Sequence, residues 1–222
     1  MAGREQMLCF NPRGWKVFRQ RVDFSANPRF LQIMRITGGL ARGIPLTLPK
    51  GDAVRPATDA LRQAVFSSLA ARVPGTTFLD LFAGSGAYGL EALSRGASGG
   101  VFVEKDARTA GFIRQNLAAV CKSLGRSAEG LQVVTADATV TLPGTPPDLV
   151  FIDPPYEIIG TVALKIFARL DAMLADKPDP VVVFEMPGEQ EVSPPGWTCV
   201  KRLGKGGRQP TAALFRANRA LS

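Results

Sequence analysis

The four residues Asp153-Pro-Pro-Tyr156 carry the most specific chemistry in this sequence. An exocyclic amino nitrogen on a nucleobase is a poor nucleophile, because its lone pair is delocalised into the ring. Asp153 and the backbone carbonyl of Pro154 can each accept a hydrogen bond from such an NH2 group. Paired acceptors favour a tetrahedral nitrogen with a localised lone pair, and they stabilise positive charge developing on it. Pro154 and Pro155 stiffen the turn and aim the Pro154 carbonyl inward. Tyr156 can stack on a base turned out of its helix or loop, worth roughly 1–3 kcal/mol. Aspartate at the first position favours guanine, whose N1–H and N2 amino group are adjacent donors that one carboxylate can bind together. Adenine sets an N1 acceptor beside its N6 amino group, which would repel the second carboxylate oxygen.

A second constellation lies upstream. Asp80-Leu-Phe-Ala-Gly84-Ser-Gly86-Ala-Tyr-Gly89 fits GxGxxG between a strand and a helix signal, and Glu104 follows Gly84 by twenty residues. Glycines allow the tight turn and the close approach of a ligand to backbone, and a carboxylate at Glu104 can bind both hydroxyls of a ribose. A nicotinamide dinucleotide would satisfy these residues alone. Asp80, however, precedes the glycines and suits an ammonium group. S-adenosylmethionine carries one together with a sulfonium, and it lacks the pyrophosphate that a helix N-terminus attracts. Asp137-Ala138 follows a later strand, where the acid can reach an adenine amino group. The expected cofactor is S-adenosylmethionine, held by Asp80, Phe82, Gly84, Gly86, Glu104, Asp137 and Ala138.

These residues need a scaffold, and the apolar pattern supplies one. Strand signals at 77–81, 101–104, 131–135, 149–152 and 181–185 alternate with helix signals at 87–95, about 107–120 and 163–174. Continuous apolar strands separated by helices predict an α/β chain, a Rossmann-like doubly wound and mostly parallel sheet with helices on both faces. Residues 197–216 read as a closing hairpin. Residues 34–72 read as a small N-terminal appendage facing RNA: short strands around Gly38-Gly39, then a helix with Thr58 as its N-cap. Residues 73–222 form the methyltransferase-type domain in this division. Residues 1–33, with six basic and two acidic residues, carry half the net charge and lack periodicity. They are either an RNA-binding arm or sequence upstream of a start at Met34.

Composition narrows the chemistry. The chain of 222 residues has no histidine, which excludes His-ligated zinc and Ser-His or Cys-His catalysis. Cys9, Cys121 and Cys199 are widely spaced and read as reduced thiols, with no metal site expected. No apolar run approaches a membrane span and no secretory signal is evident, so a cytoplasmic protein without a membrane partner is expected. A net charge of +8 favours partners bearing phosphates. Arg35, Arg42, Lys50, Arg55 and Arg62 form a basic stretch before the first sheet strand, placed to fix the register of an RNA whose target base is turned inward.

Taken together, Met34-Arg-Ile-Thr-Gly-Gly39, Arg55-Pro-Ala-Thr-Asp59 with Arg62 and Phe66, Asp80 to Ala87, Leu90-Glu-Ala-Leu-Ser-Arg-Gly96, Glu104 and Asp153 to Tyr156 resemble the RsmD-type 16S ribosomal RNA guanine-N2 methyltransferases of bacteria. The likeness spans roughly residues 34–216. It implies that Asp80, Gly84, Gly86, Glu104 and Asp137 bind S-adenosylmethionine, and that Asp153, Pro154 and Tyr156 hold a guanine of small-subunit ribosomal RNA within an assembly particle. Residues 1–33 precede the usual start of that family, and Lys205-Gly-Gly-Arg-Gln-Pro-Thr211 departs from the Tyr-Gly-Asp-Thr type found there. The alternatives are an N6-adenine DNA methyltransferase, which would need room for a target-recognition domain, and a nucleic-acid-binding assembly factor that has lost catalysis. A dinucleotide oxidoreductase stands further off, having no use for Asp153 to Tyr156.

Overall fold

A computed structural model describes residues 34–48, 56–142, 144–204, 206–207 and 209–218. The expectations for residues 1–33, Lys50 and Arg55 fall outside these. Seven strands run as β1 (Thr77–Leu81), β2 (Gly99–Glu104), β3 (Leu131–Thr135), β4 (Leu149–Ile152), β5 (Val181–Pro187), β6 (Trp197–Leu203) and β7 (Pro210–Ala217). They form one sheet in the order β3-β2-β1-β4-β5-β7-β6. The first five are parallel and the last two pair antiparallel. The order reverses between β1 and β4, and in open α/β sheets a ligand crevice opens at the carboxyl ends of the strands flanking such a reversal. The Rossmann-like reading of the sequence is the architecture found.

Alternating strand residues feed two cores. Phe78, Phe102, Phe151 and Val183 face helices α1 (Pro56–Ser68), α2 (Ala87–Ser94) and α3 (Ala107–Leu124). Leu79, Ile152, Val182 and Phe184 face α4 (Ile159–Met173) and Trp197. Gly89 makes the first packing possible: a Cβ there would collide with the rings of Phe102 and Phe78. The α3 ends are capped, Asp106 accepting from Thr109 N–H at 2.7 Å and Gly125 closing in the left-handed conformation. Helix α1 begins at Pro56, a favoured first helical residue, so Thr58 lies inside its first turn rather than before it.

Residues 34–48 make a single bridge, Arg35 to Pro45, in place of the expected short strands. Other bonds hold the segment. Thr37 N–H and Oγ1 donate to the two carboxylate oxygens of Glu91 at 2.7 and 2.8 Å, and Ser94 Oγ donates to the Gly38 carbonyl at 2.6 Å. Arg95 and Ser94 crowd the places where Gly38 and Gly39 would carry a Cβ. Two sequence motifs thus meet each other, the Arg-Ile-Thr-Gly-Gly segment seating on the last turns of α2. Ile36, Ala41 and Leu46 enter the same core as α1 and β1.

Candidate active site

The crevice at the β1/β4 reversal holds a cavity of about 1170 Å³. A small-molecule pocket usually takes roughly 300–1,000 Å³, so this one has room for more than a single compact ligand. It joins the glycine loop, Glu104, Asp137 and Ala138 on one side to Asp153, Pro154, Pro155 and Tyr156 on the other. Two constellations read separately from the sequence therefore line one site.

On the first side the backbone does the shaping. Phe82 has φ 57, a conformation uncommon for a residue with a side chain, and Gly84 and Gly86 follow at φ 53 and 79. This run turns the chain out of β1 and into α2. Glu104, at the end of β2, accepts from Gly84 N–H at 2.9 Å and Asp106 N–H at 2.8 Å, which fixes its carboxylate beside the loop. Asp137 accepts from Lys105 Nζ at 2.9 Å and Thr139 Oγ1 at 2.7 Å. The Thr139 hydroxyl, the Lys105 ammonium and the Thr139 N–H hold its pKa down at about 2. Asp80 is 2% exposed and accepts from Gly89 N–H at 2.9 Å. Burial raises its pKa to about 8, Glu104 adding to the rise and the Gly89 bond opposing it.

On the second side, Asp153 leaves the end of β4, its N–H donating to the Leu81 carbonyl at 3.4 Å. The residue is exposed to the cleft, and the protein packed around its carboxyl, with the charges of Glu185 and Asp80, raises its pKa above the usual carboxylate range. Tyr156 is half-buried at the start of a short 3-10 turn, Tyr156–Ile158, and packs against the α4 core.

Glu185 and Tyr88 also line this wall, and neither was expected from the sequence. Tyr88 Oη donates to Glu185 Oε2 at 2.7 Å, and its ring stacks on Phe151 at 5.3 Å. Glu185 ends the apolar run of β5 and is 5% exposed. A carboxylate within a buried apolar strand, near its carboxyl end, was the available signal.

The basic stretch divides. Arg35 and Arg42 are exposed. Arg62 is 2% exposed, and this corrects its reading as an RNA contact. Its guanidinium binds Asp59 Oδ1 at 2.8 Å and the Arg35 carbonyl at 2.7 Å, with Glu91 at 3.4 Å. A buried arginine must find anions within the protein, and Asp59 and Glu91 provide them. No helix among the described residues is long and apolar enough to cross a membrane.

Comparison with known proteins identifies the family. Residues 34–211 match the model of the family described as Conserved hypothetical protein 95. Ribosomal RNA small subunit methyltransferase D of Escherichia coli is 41% identical over 125 residues, 55% of this chain and 60% of that protein. Its namesake from Haemophilus influenzae is 30% identical over 179 residues, 78% of this chain and 89% of that one. Among solved structures, yhhF of Escherichia coli superposes with a TM-score of 0.66 at 29% identity, covering 84% of this chain and 99% of its own. The chain accordingly belongs to the conserved hypothetical protein 95 family, the RsmD-type family that its motifs resemble.

Proposed function

We propose that this protein transfers a methyl group from S-adenosylmethionine to the exocyclic N2 amino group of a guanine in small-subunit ribosomal RNA. The observation that carries the reading is the single cleft shared by the glycine loop and Asp153 to Tyr156. The names of the Escherichia coli and Haemophilus influenzae relatives support both the reaction and the RNA.

The residues present fit the cofactor. Acidic side chains stand near the carboxyl ends of β1 and β2 and just beyond β3, and glycine at 84 and 86, both at positive φ, lets a ligand approach the backbone there. Asp80 would hold the ammonium, Glu104 the ribose hydroxyls and Asp137 the adenine amino group. Glu104 keeps lone pairs for the ribose beyond those engaged by the loop. When bound, S-adenosylmethionine supplies an electrophilic methyl: the N–C bond forms as the S–C bond breaks, and that electron pair stays on sulfur. Asp153 and the Pro154 carbonyl accept from the amino group and localise its lone pair, and Tyr156 stacks on the base. Arg35 and Arg42, both exposed, would contact backbone phosphates. The natural substrate is expected to be the RNA within an assembly particle.

Mass spectrometry of nucleosides from small-subunit RNA, with and without the gene, tests this directly. N2-methylguanosine lost with the gene and restored by the wild-type protein is the expected result. A loss confined to another methylated nucleoside contradicts the guanine assignment.

A further inference from the structure

Methylation leaves a positively charged nitrogen that must shed a proton, and three carboxyls border the place where this happens. Ile152 pairs with Phe184 at the end of the parallel β4–β5 register, so Asp153 leaves β4 next to Glu185, which continues in β5. Asp80 on β1 completes the trio in the same cavity. Clustered acids differ in role when their surroundings separate their proton affinities.

Those surroundings differ. Glu185 is fixed by the Tyr88 hydroxyl at 2.7 Å. Burial raises its pKa, but that bond and the Arg62 guanidinium on α1 both favour its ionised form. Asp153 has only influences that favour the proton: burial first, then Glu185, then Asp80. Tyr88 is pushed well above the usual phenol range by burial and by the Glu185 and Asp153 charges, and remains a neutral donor. Burial raises the proton affinity of both, but only Glu185 has a hydroxyl at 2.7 Å and a guanidinium opposing the rise, so of the two Asp153 is the better placed to take up a proton.

We propose that Glu185, held by Tyr88 on the strand beside the catalytic turn, is a positioning residue that makes Asp153 the acceptor for the amino proton released on methyl transfer. The inference rests on the amino-methylation reading above. In this step the N–H bond breaks and its electron pair returns to nitrogen. An O–H bond forms on the Asp153 carboxylate, and the proton passes to solvent when product leaves. Glu185 touches neither substrate nor methyl group; it acts through the charge it presents to Asp153.

The test is the pH profile of single-turnover methyl transfer to small-subunit particles for wild type, Glu185→Gln and Tyr88→Phe, with RNA KM and cofactor affinity measured alongside. Activity needs Asp153 ionised, so the rate rises through its elevated pKa. Removing the Glu185 charge lowers that pKa, and Glu185→Gln moves the acidic limb to lower pH. The weaker acceptor cuts the plateau rate roughly 10- to 100-fold, within the span of general-base effects. RNA KM and cofactor affinity stay within about twofold, as expected when only the transition state is affected. Tyr88→Phe keeps the ring on Phe151 and shifts the limb the same way by less, so it decides the matter if Glu185→Gln fails to fold. A wild-type limb in the variants, or a loss confined to RNA KM, overturns the proposal. The limb is read on total methyl transfer, so product mass spectrometry separates this result from failure of the guanine reading. Absence of any methyl transfer by the wild type overturns both.

Discussion

Apart from Asp80, whose pKa burial raises to about 8, the two walls of the cleft use the same residue types to opposite effect. On the glycine-loop wall, Glu104 is met by two backbone N–H groups and Asp137 by Lys105 and Thr139, which keeps Asp137 ionised far below neutrality. On the opposite wall Asp153, exposed to the cleft, meets the protein packed around it and the charges of Glu185 and Asp80, and its proton affinity climbs. Carboxylates with donors already in place are preorganised to receive cationic or hydroxyl-bearing ligands. Carboxylates set against each other hold a proton more tightly. The division follows the sheet: donors come from the loops after β1, β2 and β3, whereas β4 and β5 bring their acids to the edge together.

The largest effect should come from breaking the second wall at its centre. Asp153→Ala is expected to slow methyl transfer by about 10²-fold or more, the usual cost of losing one preorganised electrostatic partner. Affinity for S-adenosylhomocysteine should be nearly kept, since that ligand rests on the other wall. Near-normal turnover in a steady-state assay would remove Asp153 from the chemistry.

A smaller contrast sharpens the same lesson among the basic residues. Arg62→Ala removes one of the two guanidinium partners of the buried Glu91, leaving it Arg95 and Thr37, and should cost about 1–3 kcal/mol in urea unfolding. Arg42→Glu should leave stability within about 0.5 kcal/mol, as surface changes do. It should raise the apparent KM for particles several-fold, with binding that weakens steeply as salt is added. If Arg42→Glu leaves KM untouched, the segment 34–48 does not meet the RNA.

The sequence disclosed elements better than partners. Strands β1 and β4 follow from runs of apolar residues, because a parallel strand buried on both faces leaves such runs little choice. The two motifs, the glycine loop and Asp153 to Tyr156, were legible as separate constellations, and the fold brings them to one cavity. Arg62 was misread because charge alone says surface, and only the fold brings Glu91, 29 residues later in the chain, beneath it. Glu185 and Tyr88 went unseen for a related reason. Tyr88 lies 97 residues from Glu185, and neither carries a local pattern that announces the bond between them. Thr37-Gly38-Gly39 stood out as a motif, yet its meaning, a seat on Glu91, Ser94 and Arg95, is a tertiary fact.

The measurement closest to the centre of this account is calorimetric titration of S-adenosylmethionine, S-adenosylhomocysteine and NAD across pH 6 to 9. Asp80, with a pKa raised to about 8, is largely protonated at neutral pH and must ionise to hold an ammonium group. Binding of both adenosyl ligands should therefore release a proton below that pH, and affinity should rise toward pH 8 by at most about tenfold per unit, as linkage requires. NAD should give no heat of binding. A protein that binds NAD and ignores both adenosyl ligands, or whose adenosyl affinity falls as pH rises from 6 to 8, contradicts the account.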